Sequence, residues 1–298
     1  MRNDDDFNCA LRITNYALNR RLLKMFNLNT RNFLLTPFLI WAGLFIFIPL
    51  VFIVWYGVTD YDGNFSLTNV GLIFERGYLD ALELSIALAL ISTVICLLLA
   101  YPLCLILTER RRDNSTIISL LFILPLWMNS LLSTMAWQTI LEGNGIINQF
   151  MRLLSLPDLH MINTEGAIVL GMVYNYLPYM VLPLYISLTK IDKRILEAAR
   201  DLGANSWQTF TKIILPLTIP GAISGITMVF IPALTTFVIS ALLGGGKLLL
   251  IGNIIEQEFT FQYDWHVGCA LSVILMVFIV LNMSLTAAFD TSHEEEDF

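Results

Sequence analysis

The sequence predicts an all-α membrane protein with six transmembrane helices, and three observations point to that class. Hydrophobic residues make up 56% of the 298 residues and charged ones 14%, with a mean hydropathy of +0.70, which is not the composition of a soluble globular domain. Six apolar runs reach the roughly 20 residues that a helix needs to cross a bilayer. Lysine and arginine concentrate on alternate connections, the asymmetry that orients a multi-pass protein.

Residues 1–31 carry Arg2, Arg12, Arg20, Arg21, Lys24 and Arg31, while Leu11, Leu18, Leu22 and Met25 share a helical face. This reads as a basic amphipathic segment on the cytoplasmic surface. Arg20-Arg21 resembles a twin-arginine export signal, but no small-residue cleavage site follows, so the next apolar run is expected to stay as a helix. The spans are placed at 33–56, 81–108, 117–141, 166–188, 220–243 and 266–289, within a permease-sized domain at 32–289. Pro49, Pro102, Pro125, Pro178, Pro183 and Pro232 lie inside or near the span ends and predict kinks, which neighbouring helices make tolerable in lipid. Of 17 lysines and arginines, only Arg76, Arg152 and Lys247 fall on the side opposite the N-terminus, so both termini and the loop 189–219 are expected in the cytoplasm. The end 290–298 is an acidic cytoplasmic tail and reads as a solvated terminus.

Several chemistries have little to work with. Cys9 stands alone, Cys96, Cys104 and Cys269 sit in apolar runs, and no CxxC or metal spacing occurs. Three histidines, His160, His266 and His293, give no catalytic or metal cluster. Gly244-Gly245-Gly246-Lys247 is followed by Leu248 rather than Ser or Thr, so it is no phosphate loop. No ionisable residue sits at membrane depth: Glu83 is near the outer end of the second span and Glu109 follows its inner end. An ion-gradient carrier acting alone would be expected to keep one there, and the absence favours an energy source on another chain.

The longest polar interval between spans is patterned. Asp192 is placed to N-cap a short helix whose Ile195, Ala198, Ala199 and Leu202 form one apolar stripe, and Gly203 stands where a C-terminal cap belongs. Asn205 and Gln208 have capping-box spacing for a second helix, expected to run through Trp207, Phe210 and Ile213 until Pro216 and Pro220 interrupt it. The motif Glu197, Ala198, Ala199, Gly203, Ile213, Leu215 and Pro216 resembles the EAA signature of permease subunits in binding-protein-dependent ABC importers. That resemblance implies the type I importer permease fold, with a cytoplasmic coupling helix pair whose docking surface includes Glu197, Ala198, Ala199, Asp201, Gly203 and Pro216. ATP and Mg would be bound by a partner ATPase, with no cofactor in this chain, no metal site and no catalytic residue.

Uncharged polar and aromatic residues within the spans include Trp127 and Asn129 on the third and Tyr174, Asn175 and Tyr176 on the fourth. They either line a translocation path or join helices through hydrogen bonds and interfacial belts. The outer loops hold ten acidic and three basic residues. This negative mouth either attracts a cation or reflects removal of Lys and Arg by the positive-inside bias.

Four segments narrow the resemblance: Leu124 to Leu131, Gly171 to Pro178, Leu196 to Gly203, and Gly244 through Ile255, with Asp264-Trp265 before the last span. From about residue 33 to 285 the chain is similar to the B-type permeases of spermidine/putrescine ABC importers. The implied unit is this chain, a second homologous permease, two ATP-binding subunits and an extracytoplasmic binding protein, in a bacterial cytoplasmic membrane and without nucleic acid. Asp264 joins the path candidates on this ground. Ferric iron or phosphonate permeases share the architecture and are the alternative cargo classes. The long N-terminal segment, the acidic tail and Ser133 to Trp137 depart from the pattern.

Overall fold

The computed structural model describes residues 35–66, 68–109 and 128–294. The segment 1–31, the basic stretch Arg110 to Arg112, Trp127, the start of the third expected span and the end of the tail lie outside these residues. Secondary structure among the described residues is helical apart from one antiparallel bridge, Thr59 to Phe65.

The chain divides after Tyr56 into two compact units. The first contains nearly all of α1 (Leu35–Gly57), which has a π-turn at Gly43–Phe47. Phe38, Phe45, Phe47 and Trp55 of α1 are all exposed. A helix apolar all round is one that hydrocarbon or other protein surrounds.

The second unit contains α2 (Arg76–Glu109), α3 (Ser130–Leu141), α4 (Ile146–Leu153), α5 (Glu165–Lys190) and α6 (Lys193–Asp201). It continues with α7 (Ser206–Thr235), α8 (Val238–Leu243), α9 (Ile251–Gln257) and α10 (Trp265–Glu294). Five described helices are long and apolar enough to span a membrane: α1, α2, α5, α7 and α10. The third expected span, 117–141, is not a single uninterrupted helix. Asn129 has extended backbone, and its side chain accepts from Leu131 N–H, so α3 begins at Ser130.

Helices α2, α5 and α7 pack most extensively against one another. Cys96, Ala100 and Cys104 of α2 meet Met180, Leu184 and Leu188 of α5 and Ala222 and Val229 of α7 in one buried cluster. Lipid tails are as apolar as leucine, so burial alone does little to drive such helices together. Close fit does, and small residues permit it. A Cβ on Gly221 would collide with Ser187 Cβ and lie 2.9 Å from Pro183 O, and one on Gly225 would lie 2.7 Å from Met180 Sδ. The two helices touch nearly backbone to backbone there.

Two expectations about the fifth span are corrected. Pro216 and Pro220 do not end the helix begun at Asn205; α7 continues through both. A π-turn at Phe210–Ile214, in which Leu215 N–H donates to Phe210 O, widens the helix just before Pro216 and re-registers the bonding where proline withholds a donor. The span also stops before 243. Thr236 turns extended after Thr235, and the chain resumes as α8. Neither Gly nor Pro marks that break. Asn253 from α9 donates to Phe237 O at 2.9 Å, so the cause lies in a distant element.

Gly221→Val is expected to overpack the α5–α7 contact by about 1–3 kcal/mol. It should lower the thermal midpoint and monodisperse yield of the detergent-purified protein. Gly77→Ala, where an added Cβ meets nothing within 4 Å, should leave both unchanged.

Candidate functional site

The elbow between α5 and α7 is built by three caps. The Asp192 side chain accepts from Arg194 N–H at 3.0 Å and starts α6. Gly203, at φ +82°, closes it: Gly203 N–H donates to Arg200 O at 2.9 Å and Ala204 N–H to Ala199 O at 3.0 Å. This pair of bonds is the Schellman arrangement, which needs a left-handed residue at Gly203's position. Asn205 opens α7 by accepting from Gln208 N–H at 2.8 Å while Gln208 Oε1 accepts from Asn205 N–H at 3.0 Å. Only a few residues separate two firmly capped helices, so the elbow is a rigid corner.

Its faces differ from the predicted stripe. Ala199 is buried, whereas Ile195 is 46% and Leu202 89% exposed; Glu197, Ala198, Asp201, Gly203 and Pro216 are exposed as well. Trp207, 71% exposed, stacks obliquely with Phe210 at 6.0 Å. The elbow leans on the bundle through Ala199 and the buried Thr209. Behind it a cavity of about 470 Å³ is lined by Thr108 of α2, Leu188 of α5 and Lys193, Glu197, Arg200 and Thr209. The outward face thus mixes small, apolar and charged residues and is left uncovered by the other described residues.

The path candidates do not form one cluster. Tyr174 meets Trp137 of α3 edge to face at 5.5 Å; that tryptophan was not among the expected path residues. Asn175 donates to Gly171 O of its own helix at 2.8 Å. Tyr176 donates to Pro232 O at 3.2 Å and ties α5 to α7. Asn129 caps α3, and Trp127 lies outside the described residues.

Asp264 sits at the opposite end of the bundle. It accepts from Tyr61 O–H at 2.5 Å and from Val267 N–H at 3.2 Å, so it both clasps the loop after α1 and caps α10. The Tyr61 ring lies 4.7 Å from that of His266, whose Nδ1 is 2.8 Å from Thr59 O. The hydrogen bond to Asp264, more than burial, pushes the Tyr61 phenol up to about 12. Buried Glu258 accepts from Tyr78 O–H at 3.3 Å. Burial raises its pKa, the Tyr78 hydrogen bond opposes this, and Asp264 adds to the rise.

Beneath the break in α7 lies a buried knot. Asn253 Oδ1 accepts from Ser240 O–H and from Leu250 N–H, its amide donates to Phe237 O, and Ser85 Oγ accepts from Ile251 N–H at 2.8 Å. Backbone released from a helix at such depth must find partners. Asn253 supplies one to the Phe237 carbonyl and Ser85 one to the first amide of α9, from positions that no local pattern singles out.

A model of the binding-protein-dependent transport system inner membrane component family matches residues 24–292. The chain belongs to that family. It is 38% identical over 250 residues to the spermidine/putrescine transport system permease protein PotB of Haemophilus influenzae, covering 81% of this chain and 87% of that one. It is 39% identical over 245 residues to PotB of Escherichia coli K12, covering 80% and 89%. Among solved structures, a bacterial ABC transporter importing the acidic polysaccharide alginate matches with TM-score 0.73 at 15% identity, over 89% of this chain and 99% of that one. The methionine transporter MetNI in an inward-facing conformation matches at 0.55 and 17%, over 72% and 94%. At these identities the structures show the fold alone, that of ABC importer permeases. As a member of this family the chain is an inner membrane transport component that works with a binding protein. It is not an enzyme.

Glu258 generates a prediction. Its folded-state pKa is raised, so its stabilising contribution is present at low pH and is lost as pH rises through the folded value. Glu258→Gln, which carries no charge to desolvate, should raise the thermal midpoint more at pH 8 than at pH 5. An equal effect at both pH values would contradict this account.

Proposed function

We propose that this chain is the membrane-spanning permease subunit of an ATP-driven polyamine importer, taking up spermidine or putrescine by alternating access. Its partners are a second homologous permease, two ATP-binding subunits that hold ATP and Mg, and an extracytoplasmic binding protein. Both termini and the elbow face the cytoplasm, as the distribution of Lys and Arg supports. The cargo reading is carried by the 38% identity, over 81% of this chain, to a permease named for spermidine and putrescine. The negative mouth agrees with a cationic cargo.

The coupling surface is Glu197, Ala198, Ala199, Asp201, Gly203 and Pro216. Ala198 lets a partner's backbone approach, Leu202 and Trp207 supply apolar area at the rim, and Glu197 and Asp201 offer charge. Ala199 acts from beneath, seating the corner on the bundle. Because α6 is capped at both ends and joined tightly to α7, a push on the elbow is transmitted to α5 and α7 as a rigid-body displacement rather than absorbed in a loop. Tyr174 and Asn129 are the path candidates with exposed surface, Trp137 is half-buried beside Tyr174, and Tyr176 ties together α5 and α7.

The test uses the full transporter in proteoliposomes, with ATP inside, binding protein outside and radiolabelled spermidine. Uptake competed by putrescine and not by ferric iron or phosphonate is expected; uptake of an anion in its place would overturn the cargo reading. In the same assay Gly203→Val should reduce uptake on the order of tenfold. A β-branched residue in left-handed backbone costs about 1–2 kcal/mol and opens the Schellman cap. Membrane insertion and basal ATP hydrolysis should persist, whereas normal uptake would refute the coupling role.

A further inference from the structure

Four carboxylates with described side chains are buried or half-buried: Glu258 is buried, and Asp60, Glu256 and Asp264 are half-buried. Three of them accept hydrogen bonds, Asp60 from Tyr61 N–H, Glu258 from Tyr78 and Asp264 from Tyr61 and Val267. Glu256 has no hydrogen-bond or ion-pair partner among the described residues. A half-buried carboxylate that the described residues leave unpaired keeps both oxygens free to accept from an arriving cation.

Glu256 lines a cavity of about 430 Å³ with Thr235, Phe237, Ser272, Leu275 and Met276. The cavity opens at the broken end of α7, where the helix dipole presents partial negative charge. Thr235 Oγ1 donates to Ile231 O at 3.1 Å and Ser272 Oγ to Gly268 O at 2.7 Å. Both hydroxyl protons are committed to backbone, so what these side chains offer the cavity is acceptor lone pairs. Phe237, 44% exposed, adds an aromatic ring to the lining. No Lys or Arg among the described residues lines the cavity. Its side-chain polar groups are acceptors of one electrostatic sign, beside an apolar wall from α10.

We propose that this cavity is a subsite for the transported cation, in which Glu256 receives a terminal ammonium of an aliphatic amine and Leu275 and Met276 hold the adjoining methylenes. The inference rests on the polyamine reading above and adds the place where the permease itself holds the cargo. An amine-bearing lipid headgroup has the same chemistry, and the test separates the two sources.

The full transporter is reconstituted in vesicles of phosphatidylcholine and phosphatidylglycerol, and in parallel vesicles that also contain phosphatidylethanolamine. It is loaded by the binding protein and trapped with vanadate, and retained radiolabelled spermidine is titrated. Loss of a hydrogen bond to a charged group is worth tenfold or more, so Glu256→Gln should raise half-saturation about tenfold in both vesicle types. The trapped nucleotide should be unchanged, and Glu256→Asp should restore part of the retention. Wild-type retention by Glu256→Gln would overturn the proposal, as would a defect confined to vesicles with phosphatidylethanolamine, which would assign Glu256 to lipid. A wild-type transporter that imports no polyamine would instead remove the reading on which the subsite rests, an outcome separate from the variant's behaviour.

Discussion

The near-contact of α5 with α7 is the constraint on which the rest of the second unit depends. Both helices run into the elbow, so the distance between them fixes where its two short capped ends can sit. Gly221 and Gly225 set that distance by letting Pro183, Ser187 and Met180 come to backbone range. In hydrocarbon there is little gain from hiding leucine, and fit rather than burial selects the arrangement. The buried cysteines and alanines of α2 complete the same three-helix contact, so their conservative volume matters more here than their chemistry.

At the opposite end the problem is not fit but loose backbone. Just past the point where α7 stops at Thr235, the Phe237 carbonyl accepts from Asn253 and Ser240, while Ser85 accepts from Ile251 N–H at the start of α9. The two ends therefore differ in kind. The elbow is held by local caps within a dozen residues, whereas the far end is held by bonds between residues distant in sequence, including Tyr61 with Asp264. A rigid corner at one end and a stitched, interrupted helix at the other are what the proposed coupling role requires.

What was legible in the sequence follows that division. The Asp192, Gly203 and Asn205 caps each appear in the structure where local spacing placed them, because capping is decided within three or four residues. Five of the spans were legible by length and apolarity, and the family by the spacing of Glu197, Ala198, Ala199, Gly203 and Pro216. The end of α7 was not legible, since Asn253 imposes it from another element. Nor was the orientation of the α6 stripe: Ile195 and Leu202 share a face with Ala199 by period, yet only the alanine is small enough to nestle against the bundle. Tyr174, Asn175 and Tyr176 looked alike in sequence and were separated only by which neighbour each one meets.

The π-turn at Phe210–Ile214 has a consequence for phase. Thr209 and Thr218 are both buried, yet at about 100° per residue their separation would set them on opposite sides of a uniform α-helix. One surplus residue in the wide turn subtracts a step and brings them to within about 80° of each other. The elbow and the membrane length of α7 can therefore lean on the same neighbours, like two gear sections keyed to one shaft with a single tooth skipped between them.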